Sequence, residues 1–391
     1  MCRFNLNDGA AAGAVFFFNS AELLEKKHNF SAYFPEIHAM IIVFKTFRFF
    51  IRGRLMAKKY LGLLQTDDPL YDYLKYDIQP QITGFIESPV YTAYRLNGSN
   101  AVYLYEEGHT NSRVIGKYFY SERDENRETA ANNLQKEYAN LETARRYGFD
   151  CDPFYIARPL GRNADLGELL IVEFCEGELL SSVITRSIQE KNNSLLFDKL
   201  AVLAHFFAEL HNRSASCSPV DFTQTCQYMD KVIGQCRPLF QENEAEDFYI
   251  LRDSWRRRPE MWEDCQVLVH GDATPENFMF SGEDGLKTFD LERSMFADRI
   301  FDVGRIAGEL KHFFLMNYPD KFAAEPFIGH FLWEYATHFP DREQAFLSVT
   351  KRVPFYMGLT LLRIARNFWI DRNYRLQLIN EAKKCFQEDN I

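Results

Sequence analysis

The segment from His270 to Glu292, HGDATPENFMFSGEDGLKTFDLE, restricts the possible folds of this chain more than any other feature of the sequence. Within it, Asp272 follows a short β-type run, and Asn277 lies five residues later in a proline-containing loop. A second β-type run, LKTF, precedes Asp290. Two strands joined by a short turn would bring Asp272, Asn277 and Asp290 to one edge. The alternation of side chains along a strand would also place Asp290 and Glu292 on the same side.

These side chains are the ones that phosphate transfer from a nucleotide requires. A carboxylate must orient and deprotonate the attacking hydroxyl, and oxygen ligands must hold Mg²⁺ across the phosphates. We predict that Asp272 is the catalytic base, that Asn277 and Asp290 are metal ligands, and that Glu292 is an auxiliary metal or substrate group. Each of them alone could equally be a turn former or a helix cap. The complete set at this spacing favours a kinase that uses ATP and Mg²⁺.

The same residues resemble a known family. The pattern HGDxxxxN followed by DxE is similar to the catalytic loop and metal motif of the aminoglycoside phosphotransferase and choline kinase-like family. Residues 297–304, ADRIFDVG, resemble the segment in which an aspartate, here Asp302, braces the catalytic loop. The resemblance covers roughly residues 84–308. It implies an α+β, two-lobed protein-kinase-like fold and a phosphotransferase that acts on a hydroxyl of an amino sugar, a sugar or an amino alcohol.

Two charged residues match the phosphate clamp of this family. Lys117, in the strand-like RVIGKYFY, stands where the family has its phosphate-contacting lysine. Apolar residues share its face of the strand, so its amine would be partly desolvated and would require an anionic partner. We predict Glu137 as this partner because apolar residues at helical spacing turn its side of the helix towards the core. Glu128 on the same helix is the alternative.

Two backbone segments complete the nucleotide site that the resemblance implies. The turn before AVYLY would approach the phosphates with its N–H groups; its residues are Asn97, Gly98, Ser99 and Asn100. Residues 173–177, EFCEG, resemble the hinge between the lobes, where backbone groups read the edge of adenine, and we assign Glu173 and Cys175 to it. Many relatives have paired glycines in the first turn, so the choice between ATP and GTP stays open.

The pattern of predicted elements changes along the chain. Residues 1–80 are expected to form an N-terminal extension, helical after about residue 20, and residues 81–175 a small β-rich N-lobe that binds the nucleotide. The predicted N-lobe strands are ITGFI, VYTAYRL, AVYLYEE and RVIGKYFY, followed by a helix over residues 124–146. Residues 176–391 are mainly helical and are expected to form a larger C-lobe with the catalytic loop and the substrate site.

Composition limits the partners and the cellular location that we expect for the protein. The formal net charge of −10 makes nucleic acid an unexpected partner. The eight cysteines include no CxxC pair, which is typical of a reducing cytoplasm. Residues 9–18, GAAAGAVFFF, are not expected to be a signal peptide because Asp8 precedes them, and no apolar run reaches the about 18–20 residues that span a membrane. We therefore expect a cytoplasmic location.

A basic segment, residues 40–60, stands out against this acidic background. It contains six lysines and arginines and no acid, and several of them fall at helical spacing. It could be a helix that contacts a membrane surface or a partner protein. It could equally be an N-terminal helix that packs against the main domain.

The sequence leaves the phosphate acceptor open. Acidic and aromatic residues in the C-terminal helices would suit a cationic acceptor, whereas Lys311, Arg363 and Arg366 would suit an anionic sugar. A protein kinase-like enzyme and a non-catalytic nucleotide-binding module on the same fold are the alternative functions. The oligomeric state is also open.

Overall fold

The computed structural model describes residues 58–96, 101–120 and 126–387, in which short strands alternate with longer helices. The strands of this described part are β1 (Lys59–Leu63), β2 (Tyr91–Arg95), β3 (Ala101–Glu107), β4 (Arg113–Tyr118), β5 (Phe154–Ile156), β6 (Pro159–Asn163), β7 (Leu169–Glu173), β8 (Glu178–Leu179), β9 (Val267–Val269), β10 (Phe278–Ser281), β11 (Gly285–Thr288) and β12 (Met295–Ala297).

Helices make up most of the second half of the chain. The α-helices of the described residues are α1 (Pro69–Tyr73), α2 (Arg127–Arg146), α3 (Leu180–Glu190), α4 (Ser194–Arg213), α5 (Phe222–Cys236), α6 (Glu244–Arg256), α7 (Ile300–Asn317), α8 (Glu325–Thr337), α9 (Arg342–Ala365) and α10 (Arg372–Gln387). Among them, none is both long enough and apolar enough to cross a membrane.

The first large element is an antiparallel sheet with the strand order β1-β2-β3-β4-β7-β6. Its strands β2, β3 and β4 lie where the sequence predicts strands. The predicted strand ITGFI does not form, because Thr83 N still donates to Gln79 O in a helical turn and Gly84 then adopts a positive φ of 88°. In β4, Lys117 is paired with Val102 and Leu170 on the two neighbouring strands, so its position is fixed by the middle of the sheet.

Residues 59–80 belong to this sheet and its cover, although the sequence places them in the N-terminal extension. Lys59 pairs with Arg95 and Tyr60 with Tyr94, so the end of the predicted basic helix is a strand that uses the open edge of β2. The helical turns over residues 69–81 bury Leu70, Leu74 and Ile78 in one core cluster with the sheet. Residues 1–57, including most of the basic segment, lie outside the described residues.

The helical part encloses a second, larger core that is rich in phenylalanine. Many of the phenylalanines are almost fully buried, among them Phe206, Phe207, Phe278, Phe355 and Phe386. Short strands carry the catalytic segment across this core: β9 pairs with β12, and β10 pairs with β8 and β11. The ends of β9 and β11 therefore present the loops that contain the predicted site residues.

Candidate active site

Lys117 is the centre of a buried charge cluster that joins the sheet, α2 and the loop after β11. Its Nζ lies 2.7 Å from Glu137 Oε2, 2.7 Å from Asp290 Oδ1 and 3.1 Å from Glu292 Oε2. The side chains of Lys117 and Glu137 are 9% and 3% exposed. Glu128, the alternative partner, is exposed in the first turn of α2. The structure therefore brings together four of the sequence-predicted site residues.

The electrostatics of this cluster favour a bound cation. Burial alone would lower the pKa of Lys117, but the nearby carboxylates of Glu137, Asp290 and Glu292 raise it above its ordinary value. Burial raises the pKa of Glu137 to about 7 against the opposing effect of Lys117, so its charge is partial at neutral pH. Together with Asp290 and Glu292, the carboxylates still outnumber the single ammonium. One oxygen from each carboxylate also lies within 4.8 Å of the others. Such an oxygen-only donor set suits Mg²⁺.

Asp302 holds the catalytic loop by its main chain. The fully buried carboxylate accepts hydrogen bonds from His270 N at 2.6 Å and Gly271 N at 3.0 Å, which is the bracing contact expected of it. The ring of His270 reaches the other side of the site, where Nε2 lies 3.1 Å from Phe289 O. These contacts tie the loop after β9 to the end of β11, so Asp272 and Asp290 are presented by one rigid unit.

The loop requires glycine at position 271. Gly271 has a φ of 76°, and a Cβ built on it would lie 2.1 Å from Arg293 O. We expect Gly271→Ala to lower the free energy of unfolding by about 1–3 kcal/mol through overpacking, and by a further ~1–2 kcal/mol through left-handed strain. We also expect it to lower kcat, since Asp272 is the next residue. Thermal unfolding and ADP release measure the two effects.

Gly282→Ala is the matched control for this substitution. Gly282 has a similar φ of 67°, but no atom lies within 4 Å of its Cβ position. It should therefore show the backbone strain alone and keep the activity of the native protein. Equal stability losses in the two variants would mean that the contact with Arg293 is not what restricts position 271.

Three arginines surround Asp272. Its Oδ1 lies 2.8 Å from Arg363 Nη2 and 3.0 Å from Arg305 Nη2, and its Oδ2 lies 3.7 Å from Arg293 Nε. Burial alone would raise the pKa of Asp272, but Arg305, Arg363 and Arg293 together lower it, so the carboxylate is ionised and can accept a proton. Sequence patterns indicate no role for Arg293 or Arg305, which belong to no local motif, and suggest Arg363 only as an anion contact.

Asn277 lies in the short 3₁₀ turn Pro275–Asn277, at the start of β10. Its Nδ2 donates to Asp272 O at 2.8 Å, so the amide oxygen is the atom that it can offer to a metal. The backbone carbonyl oxygen of Asn277 accepts a hydrogen bond from Thr288 Oγ1 at 2.8 Å, which connects Asn277 to the end of β11. The predicted metal ligand is thus held between the catalytic loop and the strand that precedes Asp290.

Asp290 and Glu292 converge by a turn and not by strand alternation. The strand β11 ends at Thr288, and Asp290 has a left-handed φ of 64°, so the predicted continuation of the strand is wrong. The reason is tertiary: Asn140 of α2 donates to Leu291 O at 2.7 Å and thereby holds the turn. Both carboxylates still reach Lys117. Asn140 is a positioning residue that the sequence does not reveal.

The segment predicted as the hinge follows β7 directly. Glu173 is the last residue of β7, and its Oε1 accepts from Arg158 N at 2.6 Å. Cys175 is buried in a small apolar cluster with Ala157 and Met279, and this burial raises the pKa of its thiol to about 12. A neutral thiol in an apolar cluster can line a pocket for a flat apolar ring. The predicted phosphate turn, residues 97–100, lies outside the described residues.

A cavity of about 310 Å³ opens beside the catalytic loop. It lies between α5, the loop and β12, and Gly271, Arg293 and Arg305 form part of its wall. Its remaining wall includes apolar side chains of β12 and α7, such as Phe296 and Phe301. A mixed wall of this kind, next to a convergent set of titratable groups, is typical of a binding site for a small molecule.

Comparisons with known proteins agree with this geometry. The model of the phosphotransferase enzyme family matches residues 92–338, which is more than half of the chain. A search of the curated proteins found no match.

Two solved structures show the same fold at low identity. Plasmodium vivax ethanolamine kinase is similar with a TM-score of 0.52 and 14% identity, over 81% of this chain and 85% of that chain. The ADP-bound aminoglycoside phosphotransferase APH(2'')-Ib is similar with a TM-score of 0.50 and 15% identity, over 82% of this chain and 97% of that chain. These similarities confirm the predicted two-lobed protein-kinase-like fold. Given the family match, the chain belongs to the phosphotransferase enzyme family, and the predicted class of enzyme, a kinase that acts on an alcohol group, is confirmed.

Proposed function

We propose that this phosphotransferase transfers the terminal phosphate of ATP to a hydroxyl group of a small molecule in an Mg²⁺-dependent reaction. The observation that carries the proposal is the convergence of Lys117 with Glu137, Asp290 and Glu292 next to the loop that bears Asp272. The groups differ in charge and in function, and they come from four separate segments. A purely structural ion pair would need only the first two of them.

Asp272 is the group that would orient the acceptor hydroxyl and take its proton. It is ionised, its side chain is 13% exposed, and its backbone is fixed through Asp302. Lys117, held by Glu137, would bind the nucleotide phosphates. In this arrangement a fixed base orients the acceptor hydroxyl and a fixed cation holds the nucleotide phosphates. Kinases position the two reactants for in-line transfer in this way.

Asn277, Asp290 and Glu292 fit a magnesium ion. Each offers an oxygen atom, and the two carboxylates already attract a cation, the Nζ of Lys117. When bound, Mg²⁺ neutralises the phosphate charge and orients the nucleotide. The carboxylates of this chain would hold it, and Lys117 would then be free to turn its remaining N–H groups towards a phosphate.

The proposed nucleotide site lies between the sheet and the helical part. We assign the backbone of residues 173–177, with Glu173 and Cys175, to the adenine edge, and Asn97, Gly98, Ser99 and Asn100 to the phosphates. In this division the N-lobe includes residues 59–80 in addition to residues 81–175, and residues 176–391 form the C-lobe. The bound ADP of APH(2'')-Ib supports a nucleotide on this fold. A cytoplasmic location remains a prediction from cysteine usage.

The test is ADP release from Mg²⁺-ATP with a panel of sugars, amino sugars and amino alcohols. We expect at least one acceptor to stimulate ADP release, and EDTA to abolish the stimulation. GTP in place of ATP determines the nucleotide preference. Nucleotide binding with no transfer to any acceptor would favour a binding module, and the absence of nucleotide binding would contradict the proposal.

A further inference from the structure

The carboxylate of Asp272 is surrounded by more positive charge than it can neutralise. The guanidinium groups of Arg293, Arg305 and Arg363 all lie within 4 Å of it. Three guanidinium groups around one carboxylate carry two positive charges in excess. Other acids must supply the balance, or an anion from outside the chain must do so.

Among the described residues, Glu292 and Glu309 contact these arginines and offset part of the excess charge. Glu292 Oε1 lies 3.5 Å from Arg293 Nε and offsets one of the two charges in excess, since the carboxylates around Lys117 already outnumber its single ammonium. Glu309 Oε1 lies 3.3 Å from Arg363 Nη1. Burial raises the pKa of Glu309 to about 7, so at neutral pH it supplies only part of a negative charge. The cluster therefore keeps an excess of positive charge.

Several of the arginine donors have no hydrogen-bond partner. In the described part of the chain, nothing accepts from the buried Nε and Nη2 atoms of Arg305 or from the buried Nε of Arg363. Arg305 Nη2 approaches Asp272 as an ion pair without forming a hydrogen bond. The side chain of Arg305 is only 4% exposed. A buried donor of this kind is costly unless something accepts from it, so these N–H groups call for a further acceptor, either a water or an anionic group.

Two of the three arginines line a cavity that a small molecule can enter. Arg293 and Arg305 line the cavity of about 310 Å³. Arg305 and Arg363 together line an adjoining recess of about 10 Å³, which is the size of one water. The exposed Lys136 of α2 adds a further positive charge to the wall of the larger cavity. The cationic groups of this wall are therefore placed to meet a ligand.

The two aspartates in the cavity wall already have hydrogen-bond partners. Asp298 accepts from Arg352 Nη1 at 2.9 Å and from Tyr356 OH at 3.0 Å. Asp221 caps α5 by accepting from Thr223 N at 3.0 Å. Neither carboxylate forms an ion pair with Arg293, Arg305 or Arg363, although Asp221 keeps its negative charge because its partner is a neutral N–H.

We infer that the phosphate acceptor carries an anionic group, a carboxylate or a phosphate, which binds to Arg293, Arg305 and Arg363 beside its reacting hydroxyl. The planar guanidinium groups can each donate two parallel hydrogen bonds to such a group. A cationic acceptor would instead meet three arginines at the same place. The inference rests on the proposed function and decides between the two acceptor charges that the sequence leaves open.

Direct binding of small anions tests this inference. The probes are inorganic phosphate, glucuronate and glucose 6-phosphate, compared with glucose and glucosamine. Each is titrated calorimetrically into the full chain saturated with Mg²⁺ and a non-hydrolysable ATP analogue, which occupies the nucleotide site. We expect saturable binding of at least one anionic probe, about tenfold or more tighter than that of glucose or glucosamine. Glucuronate and glucose 6-phosphate distinguish a carboxylate from a phosphate.

Variants locate the binding. The side chain of Arg293 is 46% exposed, so Arg293→Gln should fold; it should weaken anion binding about tenfold and leave binding of the ATP analogue nearly unchanged. Arg363→Lys keeps the charge but loses the planar fork, so it should weaken anion binding less than Arg363→Gln. Arg146→Gln, with a side chain 75% exposed on α2, is the control and should change nothing.

Three results would overturn the inference. The first is that none of the anions binds while the ATP analogue is present. The second is equal or tighter binding of glucosamine. The third is that Arg293→Gln and Arg363→Gln leave anion binding unchanged, or weaken only the nucleotide. If the ATP analogue itself does not bind to the native chain, the proposed function fails first, and the two failures are thereby distinguished.

Discussion

Replacing Asp272 by asparagine is expected to lower kcat for phosphate transfer by about 10²- to 10⁴-fold, the range of a lost general base. Asparagine keeps the shape of the side chain but cannot accept the proton of the attacking hydroxyl. The affinity for ATP should change little, because Asp272 does not contact Lys117. ADP release at saturating ATP, with an acceptor from the panel, measures the loss.

The same substitution should cost some stability. Arg305 and Arg363 lose their counter-ion, so we expect the free energy of unfolding to fall by about 1–3 kcal/mol. A domain of ordinary stability, roughly 5–15 kcal/mol, stays folded after such a loss. Asp284→Asn, in the exposed turn between β10 and β11, removes an equivalent charge and should alter neither quantity.

A double variant separates chemistry from charge balance. Because Arg363 is also assigned to the acceptor site, the reference for activity is the single variant Arg363→Gln. If Asp272→Asn were inactive only because the arginines repel one another, adding Arg363→Gln would restore activity to the level of that single variant. We expect it to restore part of the stability and none of the activity. Recovery of kcat in the double variant would show that Asp272 balances charge and does not act as the base.

The sequence predicts those parts of the site that are local. The catalytic loop and the metal motif lie within one short segment, and Lys117 and Glu137 can be placed from the periodicity of one strand and one helix. The structure brings all of these together. The turn at Asp290 was not predictable, because a residue of α2, Asn140, holds it from a distant part of the chain.

The parts that the sequence does not predict depend on contacts between distant segments. Arg293, Arg305 and Arg363 meet at Asp272 from the metal-motif turn, α7 and α9. The sequence suggests only Arg363, as an anion contact, and no local pattern places any of them beside Asp272. The strand β1 was missed for a related reason: its basic, aromatic sequence fits a helix, and only the open edge of β2 makes it a strand. Tertiary pairing overrides local preference in both cases.

Lys117→Met should lower kcat/KM for ATP by about 10²- to 10³-fold, the typical cost of removing one fixed electrostatic contact to a phosphate. It should also lower the free energy of unfolding by about 3–5 kcal/mol, since Glu137 would then be a buried charge without its partner.

The double variant Lys117→Met with Glu137→Gln removes both charges. We expect it to recover most of the stability, as for buried ion pairs replaced together, but not the activity. The native chain, Lys117→Met, Glu137→Gln and the double variant form a double-mutant cycle. Denaturant unfolding gives this cycle for stability, and ATP titrations give it for activity. If activity returned with stability, Lys117 would be a structural ion-pair partner; if it stayed lost while the fold recovered, the lysine would act on the nucleotide itself.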